Sequence, residues 1–408
     1  MNYNRRKFLK LSSIGVGAGI LGLNQSIYGQ GKKPVIQGFD EISKETSTKI
    51  WSPISDRKIK VGLVGYGACK FGAEFSFQDH PNVEVVAVSD LIPSRCSELA
   101  KVTRCKKTYP SLEELVKDDN IEAVFVATDA PSHARHCIEV LKHGKHVACA
   151  VPAVWGSLED AYELFEVVTK SAKSGLKYML FETSMFRADL YAMRTLYKSG
   201  HLGEIVYSEG EYYHCTTGTG KTYGSYNGWR IGLPPQFYPT HSNAFHLGVT
   251  DGSFTEVSCL GKKCISKKNF QPENNIYNNP FATEIALFKT SDGSISRMAV
   301  SFDTPGFGRE TGRIRGTKAS FFDNRYAGLE KKENLPDLER PPLPPNVSAG
   351  GHGGSHGRLT DEFVSAILQD RKPLVDIDLA LNLTVSGIIA HHSALKDGEW
   401  LKIPQFKL

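Results

Sequence analysis

Side chains that exchange protons near neutral pH are concentrated in one short stretch, residues 238–246. It contains Tyr238, His241 and His246. A histidine has an unperturbed pKa of about 6.5 and can therefore act as a general acid or base at working pH. We predict these three residues to be catalytic, the structural alternative being buried, hydrogen-bonded histidines or a helix cap. No third convincing ligand accompanies the two histidines, so we expect no metal.

Six further residues have side chains suited to holding a polar ring. Phenol and imidazole groups donate and accept hydrogen bonds, an indole offers a stacking surface, and a guanidinium binds hydroxyls or anions. The structural alternatives are aromatic packing along strands, a core position for the tryptophan, and a salt bridge from the arginine to Glu211 or Glu182. The predicted substrate-binding residues are Tyr213, His214, Trp229, Arg230, His352 and His356.

The segment from Lys58 to Asp90 predicts a dinucleotide site. Its order is an apolar strand, a glycine turn, a helix, a second strand and a terminal acid. Gly65 permits the tight turn, and Gly67 lets the backbone approach a pyrophosphate at a helix N-terminus, although the third glycine position is Lys70. Asp90 can accept hydrogen bonds from both ribose hydroxyls, which favours NAD over NADP.

Alternating elements continue beyond Asp90. We predict helices at 94–102 and 134–143, a capping box from Ser111 to Glu114, and buried strands at 121–128 and 145–149. Such repeats indicate a doubly wound parallel sheet with ligands beyond the carboxyl ends of its strands. The predicted cofactor-binding residues are Gly65, Tyr66, Gly67, Ala68, Asp90, Arg95, Thr128, His133, Val151 and Pro152.

The first residues predict export. Arg5 and Arg6, followed by Phe8-Leu9-Lys10 and the apolar run 11–23, resemble a twin-arginine signal, with an uncleaved membrane anchor as the alternative. This route carries folded proteins, so we expect a periplasmic protein loaded with its nicotinamide in the cytoplasm. A cofactor that cannot be exchanged there must be returned to its starting redox state by the same site or by a second substrate.

Composition excludes some classes of protein. The formal charge of +5 becomes about +1 once the four basic residues of the leader are removed, and no basic tract suggests nucleic acid. The 8 cysteines show no CxxC pair or zinc spacing, so most are expected to be small buried hydrophobes. After the leader we expect no membrane association.

Several motifs together resemble the Gfo/Idh/MocA family of NAD(P)-dependent sugar and cyclitol oxidoreductases. They are Gly65-Tyr66-Gly67, Ala127-Thr128 with His133, residues 144–147 with Pro152, and residues 200–205. The resemblance implies an α/β protein with an N-terminal Rossmann domain and a C-terminal α/β domain. The latter has an open, mostly antiparallel sheet that supports the substrate and often an oligomer, and residues 283–301 are expected to form one of its hairpins.

A narrower resemblance arises where the family pattern is broken. Family dehydrogenases usually carry Glu-Lys-Pro where this chain has Ala150-Val151-Pro152, and valine cannot replace the proton-shifting lysine. The NAD-dependent glycosidases first known as α-N-acetylgalactosaminidases have Glu-Val-Pro there. They also share Glu182 and residues 210–214, 227–230 and 238–241, although their glutamate is Ala150 here. In those enzymes transient oxidation of a ring hydroxyl permits elimination, water addition and hydride return.

The resemblance implies different roles for the two histidines. His241 occupies the glycosidase-like position and is our choice for principal acid or base, whereas His246 aligns with a dehydrogenase histidine. We therefore expect an enzyme that acts on a carbohydrate or glycoside by hydride transfer to and from a tightly bound nicotinamide. A redox-neutral glycosidase is one alternative, and a non-catalytic dinucleotide-binding protein is another.

These expectations divide the chain into five segments. They are a signal peptide at 1–29, an N-terminal arm at 30–56, a Rossmann domain at 57–180, a substrate-binding and oligomerisation domain at 181–371, and a C-terminal helix and tail at 372–408 returning to the Rossmann domain. We expect a small-molecule sugar or glycoside as partner, no nucleic acid, and a homo-oligomer.

Overall fold

The first of two sheets is a six-stranded parallel sheet in the order β3-β2-β1-β4-β5-β6. A computed structural model describes residues 50–215, 225–264 and 268–407, so the predicted signal peptide and most of the arm lie outside the described residues. Strands β4, β5 and β6 are almost wholly buried, as expected for a parallel sheet covered on both faces. The strands are β1 Ile59–Val64, β2 Val83–Ser89, β3 Thr108–Tyr109, β4 Ala123–Val126, β5 His146–Ala150 and β6 Tyr178–Phe181.

Helices alternate with these strands, as predicted. Ser111 caps its helix by accepting a hydrogen bond from the Glu114 N–H at 3.3 Å, which confirms the capping prediction. The helix after the glycine turn is shorter than expected, spanning only four residues before a 3-10 turn at Phe77–Asp79. The helices are α1 Phe71–Glu74, α2 Pro93–Thr103, α3 Leu112–Leu115, α4 His133–Lys142, α5 Leu158–Ala172 and α6 Ala188–Lys198.

The second sheet has eight strands in the order β13-β12-β11-β7-β10-β9-β8-β14. Only β7 and β10 pair in parallel, and β9 and β10 form the predicted antiparallel hairpin. The fold class is therefore the predicted one. The strands are β7 Ile205–Tyr213, β8 Phe254–Lys263, β9 Phe281–Thr290, β10 Ile295–Ser301, β11 Arg309–Gly316, β12 Ala319–Phe322, β13 Arg325–Gly328 and β14 Leu401–Lys402.

Three helices join the two sheets: α7 Thr240–Leu247, α8 His356–Leu368 and α9 Ile377–Ala394. Every residue of α7 is buried. In α8, the Thr360 hydroxyl donates to the Phe75 carbonyl of the first domain at 2.6 Å. The C-terminal segment contacts both domains: Thr384 in α9 accepts from the Ala153 N–H at 3.4 Å, the Phe406 and Phe165 rings have centroids 5.5 Å apart, and β14 pairs with β8 of the second sheet.

An aromatic core holds the glycine turn against the first sheet. The Phe75 and Phe125 rings have centroids 5.2 Å apart, Phe125 and Phe181 5.0 Å, and Phe181 and Phe363 of α8 6.0 Å. These rings fix the turn and α8 relative to one another, which matters because α8 begins at His356. Within the described residues, no helix has the length and apolar character needed to cross a membrane.

Candidate active site

A cleft of about 210 Å³ runs along the carboxyl ends of β1, β2 and β4. This is where the strand order reverses, the place where open α/β sheets bind ligands. The second domain supplies part of its wall through Ser225, Tyr226, Trp229 and Arg230. Six of the ten predicted cofactor-binding residues line it: Gly65, Gly67, Ala68, Asp90, Arg95 and Thr128.

The turn after β1 is shaped for close approach of another group. Gly65 has a φ of 102°, and a Cβ there would lie 2.3 Å from the Ala127 carbonyl oxygen. At Gly67 a Cβ would meet no atom within 4 Å, so its backbone faces open space. The close helix–strand contact expected of the third glycine is made by Gly72, where a Cβ would lie 2.4 Å from the Gly65 carbonyl oxygen. The third glycine is therefore present, two residues after Lys70.

Asp90 directly follows β2 and links two turns by hydrogen bonds. One carboxylate oxygen accepts from the Tyr66 N–H at 2.7 Å and the other from the Ile92 N–H at 2.8 Å. Tyr66 is itself buried and contributes through its backbone. In the described chain Arg95 lines the cleft without an ion pair to Asp90. Asp90 is thus held rigidly, with lone pairs left to accept from a ribose.

His133, Val151 and Pro152 are buried and do not line the cleft. His133 Nδ1 lies 2.8 Å from the Pro152 carbonyl and Nε2 lies 3.3 Å from the Thr128 carbonyl. Burial lowers the pKa of His133, so the neutral ring has a single N–H, which donates to the closer Pro152 oxygen. His133 therefore braces the backbone at Pro152 and Thr128 beside the cleft, and its contact with a cofactor stays a prediction.

The predicted catalytic residue His241 forms a buried ion pair with Glu182. Glu182 follows β6, and His241 lies in the first turn of α7. His241 Nδ1–H donates to Glu182 Oε1 at 2.8 Å, and the same oxygen accepts from the Ser184 N–H at 2.8 Å. Nδ1 is therefore occupied, and Nε2 is the nitrogen that can present a proton.

The pair changes the protonation of both partners. Burial alone would lower the pKa of His241, but the charges of Glu182 and Glu310 outweigh it and raise the pKa to about 9. Burial would likewise raise the pKa of Glu182, yet the charge and hydrogen bond of His241 bring it below its usual value. At neutral pH the two side chains are an imidazolium and a carboxylate.

A second imidazole lies beside this cation. The His352 and His241 rings are nearly parallel, at 17°, with centroids 6.1 Å apart. His352 Nδ1 lies 2.8 Å from His356 Nε2, and His356 Nδ1 lies 3.1 Å from the Glu74 carbonyl. The Glu74 carbonyl can only accept, whereas the Gly351 N–H, 3.3 Å from the same His356 Nδ1, can only donate, so the hydrogen bond between His352 and His356 can carry its proton on either ring. His352 Nε2 lies 3.8 Å from Glu310 Oε1.

Burial keeps both of these imidazoles neutral. It lowers the pKa of His352, and together with the charge of His352 it lowers the pKa of His356 to about 4. The His352 backbone is left-handed, with φ 51°, and the following turn is held by Arg340, which donates to the Gly353 and Gly354 carbonyls at 3.1 Å. The site thus places a cationic histidine, His241, beside a neutral one, His352.

The site-facing tyrosines are Tyr238 and Tyr212. Their rings have centroids 5.9 Å apart, and the Tyr212 ring lies 4.7 Å from His241. Burial raises the pKa of Tyr238 to about 12 and also raises the pKa of Tyr212 well above its usual value, so both keep their protons and can donate hydrogen bonds. Tyr213, which we predicted, has the opposite parity in β7 and so faces the other side of the sheet, while His214 is exposed beyond the strand end.

Trp229 and Arg230 belong to the wall of the dinucleotide cleft. Trp229 is buried edge-on against Trp155 at 5.0 Å, and the Arg230 guanidinium lies 4.1 Å from the centroid of the Trp229 ring. Neither predicted alternative for Arg230 is seen in the described residues, because Glu211 pairs with Arg297 and Glu182 with His241.

His246 is not part of this cluster. It lies on another face of α7, where Ser208 Oγ is 3.0 Å from Nδ1 and Thr250 Oγ1 is 3.3 Å from Nε2. Its ring stacks on Phe254, and burial lowers its pKa to about 4. The structure therefore does not bring His246 together with His241 and Tyr238, and the buried, hydrogen-bonded alternative describes it.

Besides Tyr212, in whose place its neighbour Tyr213 was chosen, three residues of the site escaped our prediction. Glu182 was noted only within a resemblance and as an alternative partner for Arg230, although a carboxylate directly after a buried strand was a usable signal. Glu310, which influences His241, and Cys69, in the glycine turn, gave no such signal. No group of three or more potential metal ligands is found within the described ranges.

The residues of the cleft fit a dinucleotide. The open backbone at Gly67, the close packing at Gly65 and Gly72, and a rigid carboxylate at Asp90 suit a pyrophosphate and a ribose. Because α1 has one turn only, backbone N–H groups must contribute more to phosphate binding than a helix dipole.

Comparison with known proteins agrees with this assignment. Residues 59–178 match the Gfo/Idh/MocA family model, described as an oxidoreductase family with an NAD-binding Rossmann fold. A glycosyl hydrolase family 109 protein of Bacteroides fragilis is 30% identical over 184 residues, covering 42% of this chain but only 38% of that protein. One from Akkermansia muciniphila is 25% identical over 425 aligned positions, covering 89% of this chain and 88% of the relative.

Solved structures share the fold of both domains. A levoglucosan dehydrogenase in complex with NADH and levoglucosan superposes with a TM-score of 0.69 at 17% identity, covering 86% of this chain and 100% of that one. An apo scyllo-inositol dehydrogenase from Lactobacillus casei gives 0.66 at 16% identity, covering 86% and 99%. Residues 59–178 thus match the Gfo/Idh/MocA oxidoreductase family model, which confirms the resemblance seen in the motifs of that segment.

Proposed function

We propose that this protein acts on a carbohydrate or glycoside with a tightly bound NAD that accepts a hydride and returns it. The observation that carries the proposal is the placement of a cationic histidine, His241, and a neutral histidine, His352, next to the dinucleotide turn. Phe71, at the start of α1, contacts the rings of His352 and His356 with centroids 6.0 and 6.1 Å apart. The acid–base groups therefore adjoin the cofactor cleft.

The side chains divide the work. When bound, NAD supplies reversible hydride acceptance. His241, kept cationic by Glu182, donates a proton from Nε2, and His352, in the tautomer that donates Nδ1–H to His356, accepts one at Nε2. Tyr212 and Tyr238 remain protonated and donate hydrogen bonds to substrate oxygens.

Within this proposal we favour the redox-neutral glycosidase. A cationic histidine is suited to protonating a departing glycosidic oxygen, and position 151 is valine where family dehydrogenases have lysine. The Akkermansia muciniphila relative, 88% of which is covered by the match, is named a glycosyl hydrolase family 109 protein. A dehydrogenase is the second candidate, supported by the titles of the structural neighbours. The assembled acid–base groups disfavour a non-catalytic protein.

A panel of chromogenic glycosides tests the proposal. Purified protein should release the chromophore through many turnovers without added NAD and without a rise in the reduced nicotinamide absorbance band. His241→Ala should lose this turnover while its NAD remains bound. Reduced nicotinamide formed in proportion to product would instead establish the dehydrogenase, and near-normal turnover of His241→Ala would refute the role of His241.

The bound cofactor is proposed to be NAD in preference to NADP. The support is the fixed carboxylate of Asp90, because a 2′-phosphate at that point would meet its negative charge. Denaturing the purified protein and separating the released nucleotides should yield NAD. Recovery of mainly NADP would overturn this assignment.

Export and self-association complete the proposal. The predicted twin-arginine signal supports periplasmic export of the folded, loaded protein, which fractionation of the source cells would test. One face of the second sheet exposes Leu260, Ile285, Leu287, Ile295 and Phe322, which supports a homo-oligomer formed through this face. Light scattering after size exclusion should then give a mass above 45.0 kDa.

A further inference from the structure

We infer that Arg230 binds the pyrophosphate of the dinucleotide and slows its release. The inference builds on the proposed cofactor and reassigns Arg230 from the substrate to the cofactor. It supplies the retention that a redox-neutral cycle requires, because a nicotinamide that leaves in its reduced form ends the cycle.

The first support is position. Arg230 Nη2 lies 3.9 Å from Cys69 Sγ, and Cys69 is two residues after Gly67 in the turn expected to hold the phosphates. Arg230 and Gly67 line the same cleft, and the backbone at Gly67 faces open space. The guanidinium of the second domain therefore stands opposite the phosphate turn of the first.

The second support is charge. The described part of the chain offers Arg230 no carboxylate within salt-bridge distance, since Glu211 and Glu182 have other partners. Arg135, which also lines the cleft, is paired with Glu113 at 3.0 Å. A guanidinium without an anionic partner in a cleft that accepts a diphosphate is a natural bidentate ligand for phosphate oxygens.

The third support is rigidity. The guanidinium stacks on Trp229 at 4.1 Å, and the Trp229 carbonyl accepts a hydrogen bond from the Tyr277 hydroxyl at 2.6 Å. Trp155 packs edge-on against the Trp229 ring. A cation held in place in this way loses little conformational freedom on binding phosphate, so most of the interaction goes into affinity.

Cofactor exchange gives a readout that does not depend on turnover. Purified holoprotein is mixed with excess isotopically labelled NAD, and the unlabelled NAD remaining on the protein is followed with time. Arg230→Gln should exchange roughly tenfold to a hundredfold faster than the wild type, as expected for loss of a charge-assisted hydrogen bond. Arg325→Gln, which changes an exposed arginine of β13, is the matched control and should exchange at the wild-type rate.

Nucleotide fragments identify the atom group that Arg230 holds. In displacement of bound NAD, ADP should become roughly tenfold weaker or more against Arg230→Gln, while adenosine, which has no diphosphate, should be unchanged. If Arg230→Gln fails to fold, Arg230→Lys keeps the charge without the planar stack, and it should still exchange faster than the wild type.

Three results would overturn the inference. One is an NAD exchange rate equal to that of the wild type in whichever Arg230 variant folds. Another is an equal loss of affinity for ADP and for adenosine in Arg230→Gln. The third is a raised KM for the glycoside in a variant whose NAD exchange rate is unchanged. The last would return Arg230 to the substrate. Failure of the glycoside assay would not produce any of them, because exchange and displacement are measured without substrate.

Discussion

Replacing Glu182 by glutamine should convert His241 from a cation into a neutral imidazole. The surroundings raise the pKa of His241 from 6.5 to about 9, and at about 1.4 kcal/mol per pKa unit they favour the cation by about 3 kcal/mol. Glutamine keeps the shape and a hydrogen-bond acceptor but removes the charge. Burial then dominates, and the pKa of His241 is expected to fall below 7.

The pH dependence of turnover reports this change. If His241 donates the proton, wild-type turnover should fall as the pH rises through about 9, whereas in Glu182→Gln the fall should come below pH 7. At pH 8 the variant should therefore be slower by roughly tenfold or more. NMR titration of the His241 ring, assigned with His241→Asn, measures the same pKa without turnover.

Stability gives an independent check with a defined sign. The pKa of His241 is higher in the folded protein than in the unfolded chain. The protonated ring therefore stabilises the fold fully below pH 6.5, and this stabilisation is lost as the pH rises through about 9. The difference in unfolding free energy between wild type and Glu182→Gln should thus be about 3 kcal/mol near pH 6 and should shrink toward pH 10.

A second buried pair supplies the matched control. His391 Nδ1–H donates to Glu284 Oε1 at 2.6 Å, with both side chains buried between β9 and α9. Glu284→Gln should lower stability but leave the pH profile of turnover unchanged. An unchanged high-pH limb in Glu182→Gln, or the same displacement in both variants, would refute the reasoning.

Three further outcomes are expected. Tyr212→Phe should lower kcat/KM by about tenfold, whereas Tyr213→Phe, on the opposite face of β7, should stay near wild type in the glycoside assay; the reverse order would contradict the assigned faces. Gly72→Ala should lower the unfolding free energy by about 1–3 kcal/mol in urea titrations, while Gly67→Ala should keep its stability and lose bound dinucleotide; equal losses of stability would be inconsistent with the open space at Gly67. The pKa of His246 is lowered to about 4, so its neutral form contributes stability that is lost as the pH falls from 6.5 to 4, and His246→Gln should flatten the change in unfolding free energy between pH 7 and 5.

Local patterns in the sequence were sufficient to predict the first domain. Each pattern involves residues that are close together in the chain. The patterns are the strand before Gly65, the acid at Asp90 and the capping box at Ser111. The glycine role at Gly72 was missed because the turn contains two more residues than the expected pattern. A spacing rule fails there although the packing requirement is met.

The site depended on contacts that spacing cannot supply. Glu182 and His241 are 59 positions apart, and the His352 ring reaches His241 from a third segment. Along β7 an error of one residue exchanges the faces, so Tyr213 was chosen where Tyr212 faces the site. His246 and His241 are five positions apart but lie on different faces of α7, so they contact different partners.

Turnover of a glycoside in D₂O tests the central claim most directly. Internal oxidation, elimination and water addition should leave one non-exchangeable solvent deuterium on a ring carbon of the sugar, with the dinucleotide recovered from the protein as NAD⁺. A sugar product without ring deuterium, or reduced nicotinamide formed in step with product, would contradict the account.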